Sequence, residues 1–287
     1  MVRFVDIIPD AKRLGAAERA AGIGRTVLYV AEIDSTNRGL IDLGVAGVEV
    51  GTVLVADHQT RGRGKGLRAW FSSPSGSLCV SVLIRTRRGL AQAPQLTLLC
   101  AVALREAIAE QTGIAAHIKW PNDLLVDGRK ICGILAEAHT DAAGDLDFVV
   151  LGFGLNIAIE PAEFPEDLRD TAISLSTLVG RAVDPVAILN RFLDQLKVWL
   201  PLWESHGVSA FAETWTRHAE HLGQIVRVTD GDQPTTARLL GLADDGALRI
   251  LDETGSIRLV HSGDIATGNP VGRGPDQISK KHTGVIS

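Results

Sequence analysis

Three observations predict an α/β (α+β) fold followed by a small all-β module. Apolar, strand-like runs alternate with two long amphipathic helical stretches as far as about His218. From about Gly223 the pattern changes to short β runs separated by Asp-Gly turns. The composition, 45% hydrophobic and 22% charged over 287 residues, is that of a soluble globular chain long enough for a sizeable core.

Bulk properties exclude several classes. A net charge of -5 argues against a nucleic-acid binder that works by neutralising phosphates, although a local basic loop stays open. Cys79, Cys100 and Cys132 are odd in number and lie singly in apolar runs, so they read as buried free thiols in a reducing compartment, not as a disulfide or zinc framework. No run approaches the roughly 18 apolar residues of a spanning helix, and no signal-peptide core is present. A cytoplasmic protein with no membrane partner is expected.

Residues 1–25 read as a short N-terminal extension, Ala-rich and charged, with one helix around Glu18 and Arg19. Thr26 to Ile33 is a β-branched strand, and Asp34, Ser35 and Thr36 are placed to cap a helix to about Leu43. Gly51 to Asp57 is a second strand. Ser77 to Arg85 is a third, with Leu78, Val80, Val82 and Ile84 on one face. Pro94 opens a helix to about Gln111, stopped by Gly113, which reads as purely structural.

Ile114 to Trp120 is a strand broken by Pro121, which has no N–H for a ladder and leaves Asn122 and Asp123 exposed at the break; a plain Asx turn is the alternative. Asp127-Gly128 signals a tight hairpin before a return strand from Lys130 to Glu137. Asp147 to Ile157 is a further strand, and Glu160 to Asp170, rich in Pro and acids, reads as surface loop. Asp184 and Pro185 start a helix striped with Ile188, Leu189, Phe192, Leu193 and Leu196, expected to break or kink at Pro201. A last helix covers about Ser209 to His218. Four strands follow, Ile225 to Thr229, Thr236 to Leu242, Ala247 to Leu251 and Ile257 to Val260, which suggest a small barrel, and the tail over 269–287 is expected to be disordered.

The chemistry concentrates in Gln59 to Trp70, where Gly62, Gly64 and Gly66 alternate with Arg61, Arg63, Lys65 and Arg68. Glycine permits positive φ and close backbone approach, and the cations supply donors for phosphate or carboxylate, so the loop describes an anion cradle. A solvated basic turn would need neither the alternation nor the aromatic that follows. A nucleotide P-loop is excluded because Lys65 is followed by Gly66, not Ser or Thr.

This loop, with Lys119-Trp120-Pro121-Asn122-Asp123 downstream and Ser35-Thr36-Asn37 upstream, resembles the biotin protein ligase family in order and spacing, from about Thr26 to Asp264. The resemblance implies a mixed β-sheet flanked by helices, of class II synthetase-like type, over 26–221, and an SH3-like barrel over 222–268. It implies an enzyme that forms biotinyl-5'-AMP from biotin and ATP, with Mg2+, and passes biotin to a lysine of a biotin carboxyl carrier protein.

Biotin is then expected to meet Ser35, Thr36, Asn37, Gln59, Gly62, Arg63, Gly64, Lys65, Lys130, Gly133 and Gly154. The nucleotide is expected at Arg63, Arg68, Trp70, Lys119, Asn122, Asp123, Lys130 and Asn156, the last within a Gly-x-Gly-x-Asn segment. Arg63, Lys65, Lys130 and Asp123 are the implied catalytic set, and Asp123 either holds magnesium or orients the incoming lysine. Gly133 is where the backbone would admit a flat ligand.

Two positions depart from the family, Lys65 where Arg is usual and Leu67 where Gly is usual, and both bear on how the loop orders with ligand. Regulatory members carry a winged helix-turn-helix domain before the catalytic part. Residues 1–25 are too short for one, so no DNA partner is expected, while room is left for a homodimer. A lipoate or octanoate ligase shares the implied fold but lacks this cradle and generally this C-terminal module. A non-catalytic vitamin-binding protein would have no need of Lys130 and Asp123 beside the cradle.

Overall fold

The computed structural model describes residues 22–230 and 233–266. The expected N-terminal helix and the C-terminal tail lie outside the described residues.

Strand β1 (Val27–Ile33) leads into helix α1 (Thr36–Val45), whose N-cap Ser35 accepts a bond from the Arg38 amide. β2 (Val53–Gln59), the cradle loop, β3 (Ser77–Ile84) and α2 (Gln95–Thr112) follow. α2 ends as expected on Gly113 in the left-handed conformation, φ 78°. β4 (His117–Lys119) and β5 (Asp123–Val126) flank the break at Pro121, and β6 (Arg129–Thr140) returns through Asp127 and Gly128, both at positive φ. That is the backbone a two-residue hairpin requires. β7 (Leu146–Asn156), α3 (Leu175–Val179), α4 (Pro185–His206) and α5 (Ala212–Arg217) complete the first unit.

The seven strands form one mixed sheet in the order β1-β2-β3-β7-β6-β5-β4, in which β1 and β2 are parallel and every other neighbour is antiparallel. Helices cover both faces, so β3 is buried at every position instead of alternating. On one face Val80, Val82, Val149, Leu151 and Phe153 pack in the same core as α2 and α4. On the other, Leu54, Ala56, Cys79, Leu83, Phe148 and Val150 form a second core with Leu40 of α1.

α4 does not stop at Pro201 but runs on to His206. Proline removes one helical bond on an exposed stretch, where water can serve the freed carbonyl. Packing holds the helix on either side: Trp199 Nε1 donates to Glu106 Oε2 at 2.9 Å and Trp203 Nε1 to Gln95 Oε1 at 2.8 Å, both anchors on α2. The helix expected over Ser209 to His218 is divided into a 3-10 turn, Gly207–Ala210, and the short α5.

The C-terminal strands β8 (Ile225–Asp230), β9 (Gln233–Leu242), β10 (Leu248–Asp252), β11 (Ile257–Val260) and β12 (Asp264–Ala266) form one antiparallel sheet in the order β11-β10-β9-β8-β12. β12 is an element that the sequence pattern does not announce. Its pairing with β8 carries Gly263 and Asp264 to the cradle loop.

All three cysteines are buried and free. Burial raises each thiol above its usual range, Cys79 to about 12, so none is a thiolate at neutral pH. A thiol reagent is therefore expected to titrate none of the three in the native protein and all three after denaturation. Reaction in the native state would show that this core opens.

Candidate active site

The site is a place where the sheet has been emptied on one face. Cross-strand register sets Ser81, Gly152 and Leu135 in one row, and Cys79, Gly154 and Gly133 in the next. Along β7 the α1-facing side reads Phe148, Val150, then Gly152 and Gly154, while the opposite side stays bulky through Leu155. α1 fills the space above the large residues, and the glycines leave a floor.

Two side chains lie on that floor. A Cβ at Gly152 would overlap the Asn37 carboxamide, and one at Gly154 would overlap the Trp70 indole. A Cβ at Gly133 would come within 2.8 Å of the same ring. Gly133 is expected from sequence to admit a flat ligand; the flat group lying on it is Trp70, whose Nε1 is buried without a partner.

At the α1 end, Gln59 Oε1 accepts from the Thr36 amide (2.7 Å) and from Thr36 Oγ1 (3.1 Å). Ser81 Oγ donates to Asn37 Oδ1 at 2.6 Å and stands 2.8 Å from Thr36 Oγ1. Asn37 Nδ2 donates to Leu135 O (3.2 Å) and to Glu137 Oε2 (2.9 Å), so both its hydrogens are committed. Ser35, Thr36, Asn37 and Gln59 are all buried and all line the cavity.

At the other end, Lys130 Nζ lies 2.6 Å from Asp123 Oδ1 and 5.5 Å from the centroid of the Trp70 ring. The Lys130 backbone is pinned on both sides, its amide donating to Thr171 O (2.7 Å) and its carbonyl accepting from Ile173 N (3.0 Å). Asn156 Nδ2 braces the same carbonyl at 3.3 Å. Asn122 is also a brace, since its Nδ2 donates to Ile134 O at 2.9 Å while its own carbonyl accepts from Ile134 N.

A second cavity, lined by Phe71, Lys119, Asn156 and Phe164, adjoins the first and shares Ala69, Trp70, Asp123, Lys130 and Leu168 with it as a common wall. The loop over 160–170 is therefore not wholly surface. Phe164 is buried and its ring centroid lies 6.0 Å from that of Phe71. A lone Phe among prolines and acids gives no periodic signal by which to place it inside.

The cradle is itself a small hairpin. Trp70 N donates to Gly62 O (2.9 Å) and Gly64 N to Arg68 O (2.8 Å), with Arg63 and Ala69 bridged. Gly62 thus closes the neck and does not line the cavity. Gly66 takes the left-handed conformation, φ 68°, and Leu67 stands fully exposed at the tip, so the departure at Leu67 is not at the position that needs positive φ.

The cations expected to converge each hold a separate acceptor. Arg63 Nη2 pairs with Glu137 Oε1 at 2.9 Å, Lys65 Nζ donates to Gly263 O at 2.6 Å, and Arg68 Nη2 pairs with Asp264 Oδ2 at 2.7 Å. Partial burial lowers the Lys65 pKa. All of them still line the first cavity. Glu137, Gly263 and Asp264 are site residues that the motifs do not reveal; only the period-2 placement of Glu137 on the face of Gly133 and Leu135 could signal the first of these.

The Arg68–Asp264 pair is exposed on both sides, so Asp264→Asn is expected to change global stability by less than about 1 kcal/mol. Its local effect is expected to be larger, with trypsin cleaving after Arg68 several-fold faster than in the parent. Equal cleavage rates would show that β12 does not restrain the loop.

This fold and site define a class. The family model described as Biotin/lipoate A/B protein ligase family matches residues 29–156, and Biotin protein ligase C terminal domain matches 221–268. The biotin–[acetyl-CoA-carboxylase] ligase of Mycobacterium tuberculosis is 33% identical over 254 residues, 85% of this chain and 90% of that protein. The bifunctional ligase/repressor BirA of Bacillus subtilis is 32% identical over 246 residues, 86% of this chain and 75% of its own. The biotin protein ligase of Aquifex aeolicus, solved with biotin and ATP, superposes with a TM-score of 0.73 at 30% identity, covering 84% of this chain and 98% of that one. The chain belongs to the biotin protein ligase family.

Proposed function

We propose that the protein is an ATP-dependent biotin–[acetyl-CoA-carboxylase] ligase, which forms biotinyl-5'-AMP and transfers biotin to a lysine of a carboxyl carrier protein. The observation that carries this reading is the common wall of Trp70, Asp123 and Lys130 between two cavities. One cavity has a polar end at Ser35, Thr36 and Gln59 suited to an uncharged ring head. The other, with Lys119 and two phenylalanines, suits a nucleotide.

In the first step the biotin carboxylate attacks the α-phosphorus, the bond to the β-phosphate oxygen breaks, and pyrophosphate leaves. Two anions must meet, so positive charge has to be in place where they do. Lys130 stands at that junction and exchanges Asp123 for the reacting oxygens. Lys65 and Arg68 leave Gly263 and Asp264 to take phosphate oxygens as the cradle closes, while Arg63, expected from sequence in the catalytic set and at the nucleotide, stays with Glu137 at the ring-head end. Asp123 is the residue that would hold a magnesium ion. A single carboxylate at the wall common to the two cavities suits an ion that makes few protein contacts, and when bound that ion would supply positive charge at the phosphates.

In the second step the acceptor amine attacks the acyl carbon, the acyl–oxygen bond breaks, and AMP leaves with the proton lost from nitrogen. Orienting that amine, once free of Lys130, is the alternative role for Asp123 to holding magnesium. The closed cradle keeps water from the anhydride.

The catalytic unit in this reading spans 26–221 and the C-terminal unit 222–268, as an SH3-like support for the nucleotide side. No helix among the described residues is long and apolar enough to cross a membrane. A cytoplasmic setting suits three free thiols. DNA binding forms no part of the proposal.

The test is ATP–pyrophosphate exchange run in parallel with biotin, lipoate and octanoate, followed by mass analysis of an added carrier domain. Exchange with biotin alone and one biotinyl group on the carrier is the expected result. Exchange with lipoate would move the protein to the sister branch of the fold, and no exchange would overturn the reading.

A further inference from the structure

We infer that Glu137 is a positioning residue for the ring-head end of the acid pocket, acting through Arg63 and Asn37. The inference rests on the biotin reading above. Glu137 lies on β6 on the same face as Gly133 and Leu135, opposite Val150 of β7. Its carboxylate is mostly covered, the side chain 19% exposed, and each oxygen has its own partner: Oε1 the Arg63 guanidinium, Oε2 the Asn37 amide, both at 2.9 Å. One side chain thereby ties the cradle loop to the first turn of α1, two segments that meet over the glycine floor.

Position rules out a direct part in the chemistry. Glu137 is seven residues along β6 from Lys130, about 23 Å of extended chain at ~3.3 Å per residue. What it can do is set charge and geometry at the other end. Arg63 lines the acid cavity and is half exposed, so without Glu137 an uncompensated guanidinium would face the place where an uncharged ring head must sit. Asn37 would lose the acceptor for one of its two donors, and only the Leu135 carbonyl would hold its amide nitrogen. A neutral, fixed wall favours a neutral head group; a charged, mobile one favours an acid or water.

The experiment compares Glu137→Gln, Arg63→Gln and the double variant in ATP–pyrophosphate exchange, with KM for biotin and for ATP measured separately and unfolding followed by heat. Glu137→Gln keeps a carbonyl for Asn37 and removes the charge. It is expected to raise KM for biotin about tenfold, the loss of one charge-assisted contact, with KM for ATP within about twofold and kcat within about threefold. The double variant, in which neither charge remains, is expected to bind biotin no worse than Glu137→Gln alone.

Parallel rises in KM for biotin and ATP together with a lower unfolding midpoint would reduce Glu137 to a fold residue and overturn the inference. Singles whose effects simply multiply in the double variant would overturn it too, as would an unchanged KM for biotin. A parent protein that exchanges with no biotin at all would instead refute the ligase reading, and this inference would fall with it.

Discussion

Lys130→Gln is expected to lower the rate of ATP–pyrophosphate exchange with biotin by about 10²- to 10³-fold, the usual cost of removing one fixed group that stabilises charge in a transition state. The substitution keeps two N–H donors but removes the charge and shortens the side chain by one bond, so the arginine variant is needed beside it to tell charge from reach. Lys130 is well placed for such an effect. Its backbone is held from both sides by Thr171 and Ile173, and its ammonium stands between Asp123 and the Trp70 ring at the wall common to the two cavities. Lys130→Arg should recover part of the rate, because charge remains while the planar head cannot occupy the same point. Biotin binding without ATP is expected to weaken much less than the rate falls, since the ring-head contacts lie at the far end of the floor. If Lys130→Gln lost only biotin affinity, with kcat untouched, Lys130 would be a carboxylate anchor and not the group on which the phosphoryl step depends.

What can be read from sequence follows a physical division. Strands and helices whose faces are set by local periodicity are legible: the bounds of β1, β3, α2 and the Asp127-Gly128 hairpin fall within a few residues of expectation. So are the segments that form the pocket, because glycines and cations between apolar runs have few structural uses. Partners brought in by tertiary pairing are not legible. Nothing near Lys65 or Arg68 announces Gly263 and Asp264, which lie about 200 residues away in sequence and arrive only because β12 pairs with β8. At Pro201 a local rule, that proline ends a helix, is outweighed by two indole anchors on α2. Leu67 carries no strain although glycine is expected there, because the turn falls one residue earlier and Gly66 takes the positive φ.

Gly152→Ala is expected to be the most damaging single methyl in the site. The new Cβ would overlap the Asn37 carboxamide, and that group has nowhere cheap to go. Its oxygen is held by Ser81 and its nitrogen by Leu135 and Glu137, so moving it breaks bonds worth about 1 kcal/mol each, on top of about 1–3 kcal/mol for overpacking a filled space. The expected outcome is a fall in stability of about 2–4 kcal/mol and a rise in KM for biotin of at least about tenfold, since Asn37 carries the wall of the ring-head end with it. Gly144→Ala separates the two effects. Gly144 has φ 87° in the turn between β6 and β7, and no atom lies within 4 Å of the point an added methyl would occupy, so alanine there meets backbone strain alone. It should cost about 1 kcal/mol of stability and leave KM for biotin unchanged. Were Gly152→Ala to behave like Gly144→Ala, losing stability but no affinity, the emptied floor of β7 would serve only to seat α1 against the sheet, and the acid would have to bind elsewhere.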